Sequence, residues 1–481
     1  MVEGEEKKGN IVNAVAKSEE LSEDGLTHTY KLRKDVKWTN GDPVTAHDFV
    51  YAWQRIFRKK GSYYYMFADG IASIEGAQEL SDKIDAGEEL TDDDLNSMGV
   101  KAIDDYTLEV KTTVRVSFFD ELMAFPCFFP INEKFCEKQG DKYGKSAKAI
   151  LGNGAFIMTN WEPGSIAEFK KNEDYYDAKT VKIEKLVMKL VQDPKVAAQS
   201  FMAGETDYAP ITSDLVDKYK DDESFKQVPE GFLYYLSVNF QNEDLANANI
   251  RQAVSLSINR NDLCEKVLKD GSSAATGFIP KGVATSPDGK DFREESGTYI
   301  TYSQSKAQQA LDRGLKELGK SEIKLRITYG TDESPMDVIA TYLQNSLSKL
   351  KGIKVEMVAT TKQHRIYNKQ KNGDYDLAVT RWGPDYGDPT TFLTIDISTN
   401  SNNYGKYVSS DFDNYMGQAA SESDVRVRWQ ELLEAEKVLM TDLGSIPVFE
   451  KGSATLQNTK VKNLVIKPCN VLSFQYIEKT E

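Results

Sequence analysis

From Leu26 to Trp38 apolar and polar residues alternate with a period of two, which predicts a half-buried strand pair. Asn40-Gly41-Asp42-Pro43 is a turn. Thr45, with Asp48 three residues on, then opens a helix whose buried face is Phe49, Val50, Trp53, Ile56 and Phe57. Asp104-Asp105 turns into an alternating strand over 106–110. Between them, residues 82–96 are densely acidic. They fail the calcium-loop pattern because Ile84 stands where an oxygen ligand is required, so a solvated helix start capped by Thr91 is expected instead.

After the break at Gly152-Asn153-Gly154, strands are predicted around Phe156, over 167–169 and over 186–190. A helix follows from Pro194 to Met202, then a strand over 233–239 and a helix starting at Ile250 with Arg251-Gln252 on its outer face. Residues 271–298, rich in Gly, Ser, Pro and charge, read as a long surface loop. Beyond them helix and strand alternate. A helix bearing Ala307, Ala310 and Leu311 precedes a strand over 323–329. One bearing Ile339, Leu343 and Leu350 precedes a strand over 353–358. A further strand over 374–380 puts Tyr375, Leu377 and Val379 on one side, and a late amphipathic helix runs over 428–440. This is a mixed α/β chain with long insertions and no repeat of fixed period.

Composition narrows the chemistry. At 481 residues the chain exceeds what one core usually organises, so two to four domains are expected. No run approaches the ~18 apolar residues of a membrane helix. A net charge of −15 without any basic run makes nucleic acid a poor partner. The three histidines (His28, His47, His364) are scattered, and Cys127, Cys136, Cys264 and Cys469 have no metal-ligand spacing, so no cofactor or metal is expected. The cysteines are read as small apolar side chains, with a local Cys127–Cys136 bridge as the alternative. No GxSxG, HExxH, GxxxxGK[ST] or GxGxxG motif occurs, and nothing in the residues asks for an enzyme.

One segment stands out: Arg381-Trp382-Gly383-Pro384-Asp385-Tyr386-Gly387-Asp388-Pro389, directly after a buried-looking strand. In open α/β sheets ligands sit beyond the carboxyl ends of strands. The loop offers an aromatic wall, backbone donors and acceptors, and two carboxylates. It reads equally as a Gly/Pro turn in which Trp382 caps a core.

Several segments together resemble a known family. They are Glu23 to Thr27, Leu32 to Val50, Gly152 to Phe156 with Trp161-Glu162-Pro163-Gly164, Asn172 to Tyr176, Phe201 to Asp207, Ile250 to Ala253, and Trp382 to Pro389. Their order and spacing over essentially the whole chain resemble the oligopeptide-binding branch of the family 5 extracellular solute-binding proteins that feed ABC importers.

The resemblance implies a periplasmic-binding-protein-like α/β fold: two lobes around a cleft plus an extra domain. Residues 1–152 would be mainly domain II, 153–243 with 453–481 domain I, and 244–452 domain III. It implies no catalysis. The expected partners are an oligopeptide ligand and the importer's membrane permease, and the chain is expected to be monomeric. Peptides would be held mainly by their backbones, as in β-strand addition. Asp385 would pair with the α-amino group, and Arg381, Trp382 and Gly383 would supply backbone contacts. Tyr63 would contribute from the second domain. Val379 and Gln370 occupy the neighbourhood where some members carry a positive residue for the peptide's carboxyl end. Another ligand (nickel chelate, haem or glycan) or a peptide hydrolase is the alternative, and the hydrolase is disfavoured. The amino terminus, Met1 to Asn10, is charged where a secretory signal would be apolar. By the resemblance, the chain is expected to lack the family's first segment of domain I. An extracellular or periplasmic location is expected, with a lipid anchor on the full-length precursor.

Overall fold

The computed structural model describes residues 2–3, 11–68, 70–467 and 471–480. The chain divides into two compact units. One comprises residues 1–197, 458–465 and 472–481, the other residues 198–457 and 466–471.

In the first unit the predicted strand pair forms, shifted toward the amino terminus. β1 (Ala16–Leu21) pairs antiparallel with β2 (Thr27–Leu32), and residues beyond Leu32 turn instead. α1 spans Ala46–Arg58. Its Thr45 N–H donates to the Asp48 carboxylate at 2.8 Å, the capping arrangement expected from the sequence. The acid run takes in the end of a helix, Ala77–Asp85, and then the helix Asp92–Asn96, whose start Thr91 caps by accepting the Asp94 N–H. β3 (Val100–Asp104) and β4 (Thr107–Lys111) complete a four-stranded antiparallel sheet in the order β1-β2-β4-β3. A three-stranded antiparallel sheet of β5 (Phe156–Glu162), β6 (Ile166–Lys171) and β7 (Lys185–Lys189) follows.

The second unit is built on one mixed sheet. Its strands are β8 (Tyr208–Ile211), β9 (Phe225–Val238), β10 (Ser273–Ala274), β11 (Ile323–Gly330), β12 (Ile353–Thr360), β13 (Leu377–Trp382) and β14 (Ser445–Gln457). The order is β8-β14-β9-β13-β11-β12, with β10 added to β14. β11 runs parallel to β12 and β13, whereas β9 runs antiparallel to β13 and β14. The parallel part follows from the helix–strand alternation after residue 304.

Both faces are covered, so central strands are apolar on both sides. Tyr234, Leu236, Leu377 and Val379 face one core with α2 (Ala248–Ser257), α3 (Gln304–Leu318) and α4 (Met336–Leu347). Leu233 and Tyr235 face another, closed by Phe278, Phe292, Phe392 and Trp429. Phe392 lies on the short helix α5 (Thr390–Leu393) and Trp429 on α6 (Val425–Asp442).

Three expectations need correction. Arg251 does not face outward with Gln252. It is buried, and its guanidinium donates to the carbonyls of Leu245, Ala246 and Asp442, which lie in the last turns of two helices. Residues 271–298 are not a surface loop, because Phe278, Ile279 and Phe292 are fully buried. Irregular backbone tolerates burial there because the Glu436 carboxylate on α6 accepts the N–H groups of Phe278 and Ile279 at 2.8 and 3.0 Å. The strand predicted over 374–380 starts only at Leu377. Tyr375 is buried ahead of it, with its hydroxyl against that of Ser237. Cys136 and Cys264 are buried free thiols, so the Cys127–Cys136 bridge is not made, and Cys469 lies outside the described residues. Among the described residues no helix is long and apolar enough to cross a membrane.

Candidate functional site

The site is built where β13 ends. Arg381 pairs in register with Tyr234 and Trp382 with Leu233, so the two side chains leave on opposite faces of the sheet. Along the loop that follows, Pro384, Tyr386 and Asp388 are buried, while Arg381, Trp382, Gly383 and Asp385 stay half-buried. The loop thus has roots in the core and an accessible edge, and four of the five residues singled out from the sequence lie on that edge. The fifth, Tyr63, belongs to the first unit. It is 46% exposed and packs edge-on against Phe125.

Each loop residue has a distinct local cause. The indole N–H of Trp382 donates to the Thr391 carbonyl at 2.7 Å, and its ring packs on the core around Phe392. The core-capping role is therefore real for Trp382, which stays half-buried. Gly383 is required by close approach: a Cβ there would sit 2.4 Å from the Phe232 ring. The Asp385 N–H donates to Thr391 Oγ1 at 2.8 Å, which fixes the backbone that presents its carboxylate.

The two loop carboxylates have separate fates. Asp388 meets Arg428 of α6 in a two-pronged ion pair at 2.7 and 2.9 Å. It also accepts the N–H and hydroxyl of Thr390. Burial alone would raise its pKa, but Arg428 and these hydrogen bonds hold it below the ordinary carboxylate range. Asp388 is therefore spent on structure, while Asp385 is the loop carboxylate on a residue that is only half-buried.

Sequence reasoning missed the residues that seat Arg381. Its guanidinium lies over the rings of Phe232 and Tyr234, 5.2 and 5.8 Å from their centroids, and donates to the Tyr234 hydroxyl. Behind it Glu333 stands 3.9 Å from Arg381 and 2.9 Å from the buried Arg365. Gln370 accepts from Arg365 at 2.6 Å, so it serves that buried arginine. Among the described residues no group of His, Cys, Asp or Glu is arranged to hold a metal ion.

Just past α5, Asp396 is buried, with the Ser445 hydroxyl donating to it at 3.1 Å. Burial pushes its pKa up to about 7. The folded protein thus keeps a proton that the unfolded chain releases near pH 4. Stability from this group is present at low pH and is lost as pH rises toward 7. Asp396→Asn should flatten that decline in urea unfolding curves recorded from pH 5 to 8. Glu450, also pushed up to about 7, leaves a residual slope. An unchanged profile in the variant would mean that Asp396 is ionised throughout.

A family model for bacterial extracellular solute-binding proteins, family 5 Middle, matches residues 10–404. The dipeptide-binding protein DppE of Bacillus subtilis is 32% identical over 467 residues, covering 97% of this chain and 83% of that protein. The oligopeptide-binding protein OppA of the same organism is 29% identical, covering 95% and 83%. Among solved structures, Listeria monocytogenes OppA bound to peptide matches with a TM-score of 0.80 at 31% identity, covering 98% of this chain and 90% of that one. The chain belongs to the family 5 extracellular solute-binding proteins. Its fold is the periplasmic-binding-protein-like α/β fold of the OppA structures.

Proposed function

We propose that this protein is the substrate-binding component of a peptide ABC importer. It captures extended oligopeptides and delivers them to the membrane permease. The observation that carries the reading is the division of labour in the loop after β13. Asp388 is buried and paired with Arg428, whereas Asp385 is half-buried, is held by its backbone N–H, and stands just beyond the end of a sheet strand. Such a carboxylate meets a peptide's α-amino group whatever the peptide's sequence. Backbone contacts from Arg381, Trp382 and Gly383 complete the part of the proposed peptide site that the second unit carries.

The relatives support the ligand class. Their names give dipeptides, oligopeptides and murein peptide, and one related structure is a Haemophilus influenzae OppA complex with RPPGFSPFR. The protein is a carrier without catalysis, placed at the extracellular face of the membrane or in the periplasm, and lipid-anchored in its precursor. In this reading residues 1–152 are mainly domain II, 153–243 with 453–481 domain I, and 244–452 domain III.

Peptide that binds only the native state must raise the melting temperature. At a hundred times Kd the native state gains about 2.7 kcal/mol by linkage. Thermal scans with and without a defined oligopeptide test this, and mass spectrometry of the same peptide follows. An upward shift with the peptide recovered intact is expected. No shift over a broad panel of peptides, or cleavage products, would overturn the reading.

A further inference from the structure

The loop that carries Asp385 reaches the core through one unbroken chain of polar contacts. It begins on α6, where Arg428 stands in phase with the buried Trp429, Leu432 and Ala435 yet is itself buried. A cation in that position must have a fixed partner. Asp388 is that partner, and both side chains are only 10% exposed. The Asp388 Oδ1 that accepts from Arg428 also accepts the Thr390 N–H at 3.0 Å and the Thr390 hydroxyl at 2.6 Å. This ties the start of α5 to α6. The next residue, Thr391, is 2% exposed, and its N–H donates to the Asp388 carbonyl. Its hydroxyl oxygen takes the Asp385 N–H, and its carbonyl takes the Trp382 indole N–H. Two residues proposed to contact the ligand are thus referenced to one threonine, and that threonine to one buried ion pair.

We infer that Arg428 and Asp388 are positioning residues for ligand capture, acting through Thr390 and Thr391 to fix where Asp385 meets the peptide's amino group; this rests on the peptide-binding reading above. Ordinary fold maintenance would not need the relay to end on Asp385. The Arg428–Asp388 pair alone would anchor α5. The relay matters because a charge-assisted hydrogen bond requires the carboxylate oxygen within about 3 Å of the amine. One residue sets that position, whereas backbone contacts are shared among several residues.

The test is the ratio of dissociation constants for an N-acetylated and a free-amine version of one tetrapeptide, measured by isothermal titration calorimetry. A reduced population of the binding-competent conformation scales both constants alike, so it cancels in the ratio. Thr391→Val removes the acceptor of the Asp385 N–H at nearly constant volume and with no change of charge. The double variant Asp388→Asn/Arg428→Met removes the ion pair without leaving one buried charge alone. For the parent the ratio should be at least ten. It should fall at least fivefold in both variants, with Arg428→Lys in between because a lysine cannot make the two-pronged contact. A parent ratio near one would sink the assignment of Asp385 to the amine. A large parent ratio kept within twofold in both variants would leave that assignment standing and overturn this inference.

Discussion

Asp385→Asn should keep the fold and cost about 2–5 kcal/mol of peptide affinity, the range for truncating one partner of a buried charge pair. That is roughly 30- to 4,000-fold in Kd. The α-amino group of a peptide is cationic near neutral pH and strongly hydrated. Bringing it into a protein site is costly unless a fixed anion replaces the lost water. Asparagine keeps the size and the backbone hydrogen bond to Thr391 but supplies no charge. Asp388→Asn differs in kind: it strips the counter-charge from a buried arginine, so its first effect is on stability. Calorimetric titration of parent and Asp385→Asn with the same peptide, beside melting curves of both, separates the two outcomes. Equal affinity in both proteins would show that the amine is anchored elsewhere.

What the sequence made legible was whatever is encoded locally. Thr45 and Asp48 lie three residues apart, so the cap of α1 could be read directly. The same holds for Thr91 and for the buried run that became β13. The loop after β13 could be found because a strand end, two glycines and two prolines are local signals. The partners of those residues are not local. Asp388 and Arg428 are separated by 40 positions and Arg293 and Glu436 by 143, and no periodicity links them. A usable signal was nonetheless present. Arg428 and Glu436 fall in phase with Trp429, Leu432, Ala435 and Leu439, where a solvated charge has no place. Arg251, beside Ile250 and Val254, carries the same mark, although the Arg251-Gln252 pair predicts an outer face. A charged residue on the apolar stripe of a helix announces a buried partner without saying where it is. Residues 271–298 were misread for the converse reason. Their polar composition is that of a loop, but the anchor that allows their burial sits on a helix far along the chain.

That anchor is also where the largest loss of stability is expected. Glu436 is fully buried, and its carboxylate serves five donors at once. They are the N–H groups of Phe278 and Ile279, two nitrogens of Arg293, and the Ser296 hydroxyl. Arg293 in turn donates to the Gly297 carbonyl, and Gly277 has no side chain because a Cβ would overlap the Arg293 guanidinium. Glu436→Ala therefore leaves a buried cation without its counter-charge and two buried N–H groups without an acceptor. Breaking such a pair costs about 3–5 kcal/mol. In urea unfolding this should appear as a lowered midpoint for the transition of the second unit, since Glu436 and all its partners belong to it. Replacing both charges by apolar residues, as in Glu436→Leu/Arg293→Met, should recover part of the loss. The recovery is incomplete because the Phe278 and Ile279 N–H groups still lack their acceptor. If Glu436→Ala unfolds within 1 kcal/mol of the parent, water must reach the pair, and the 271–298 segment would be held by its apolar side chains alone.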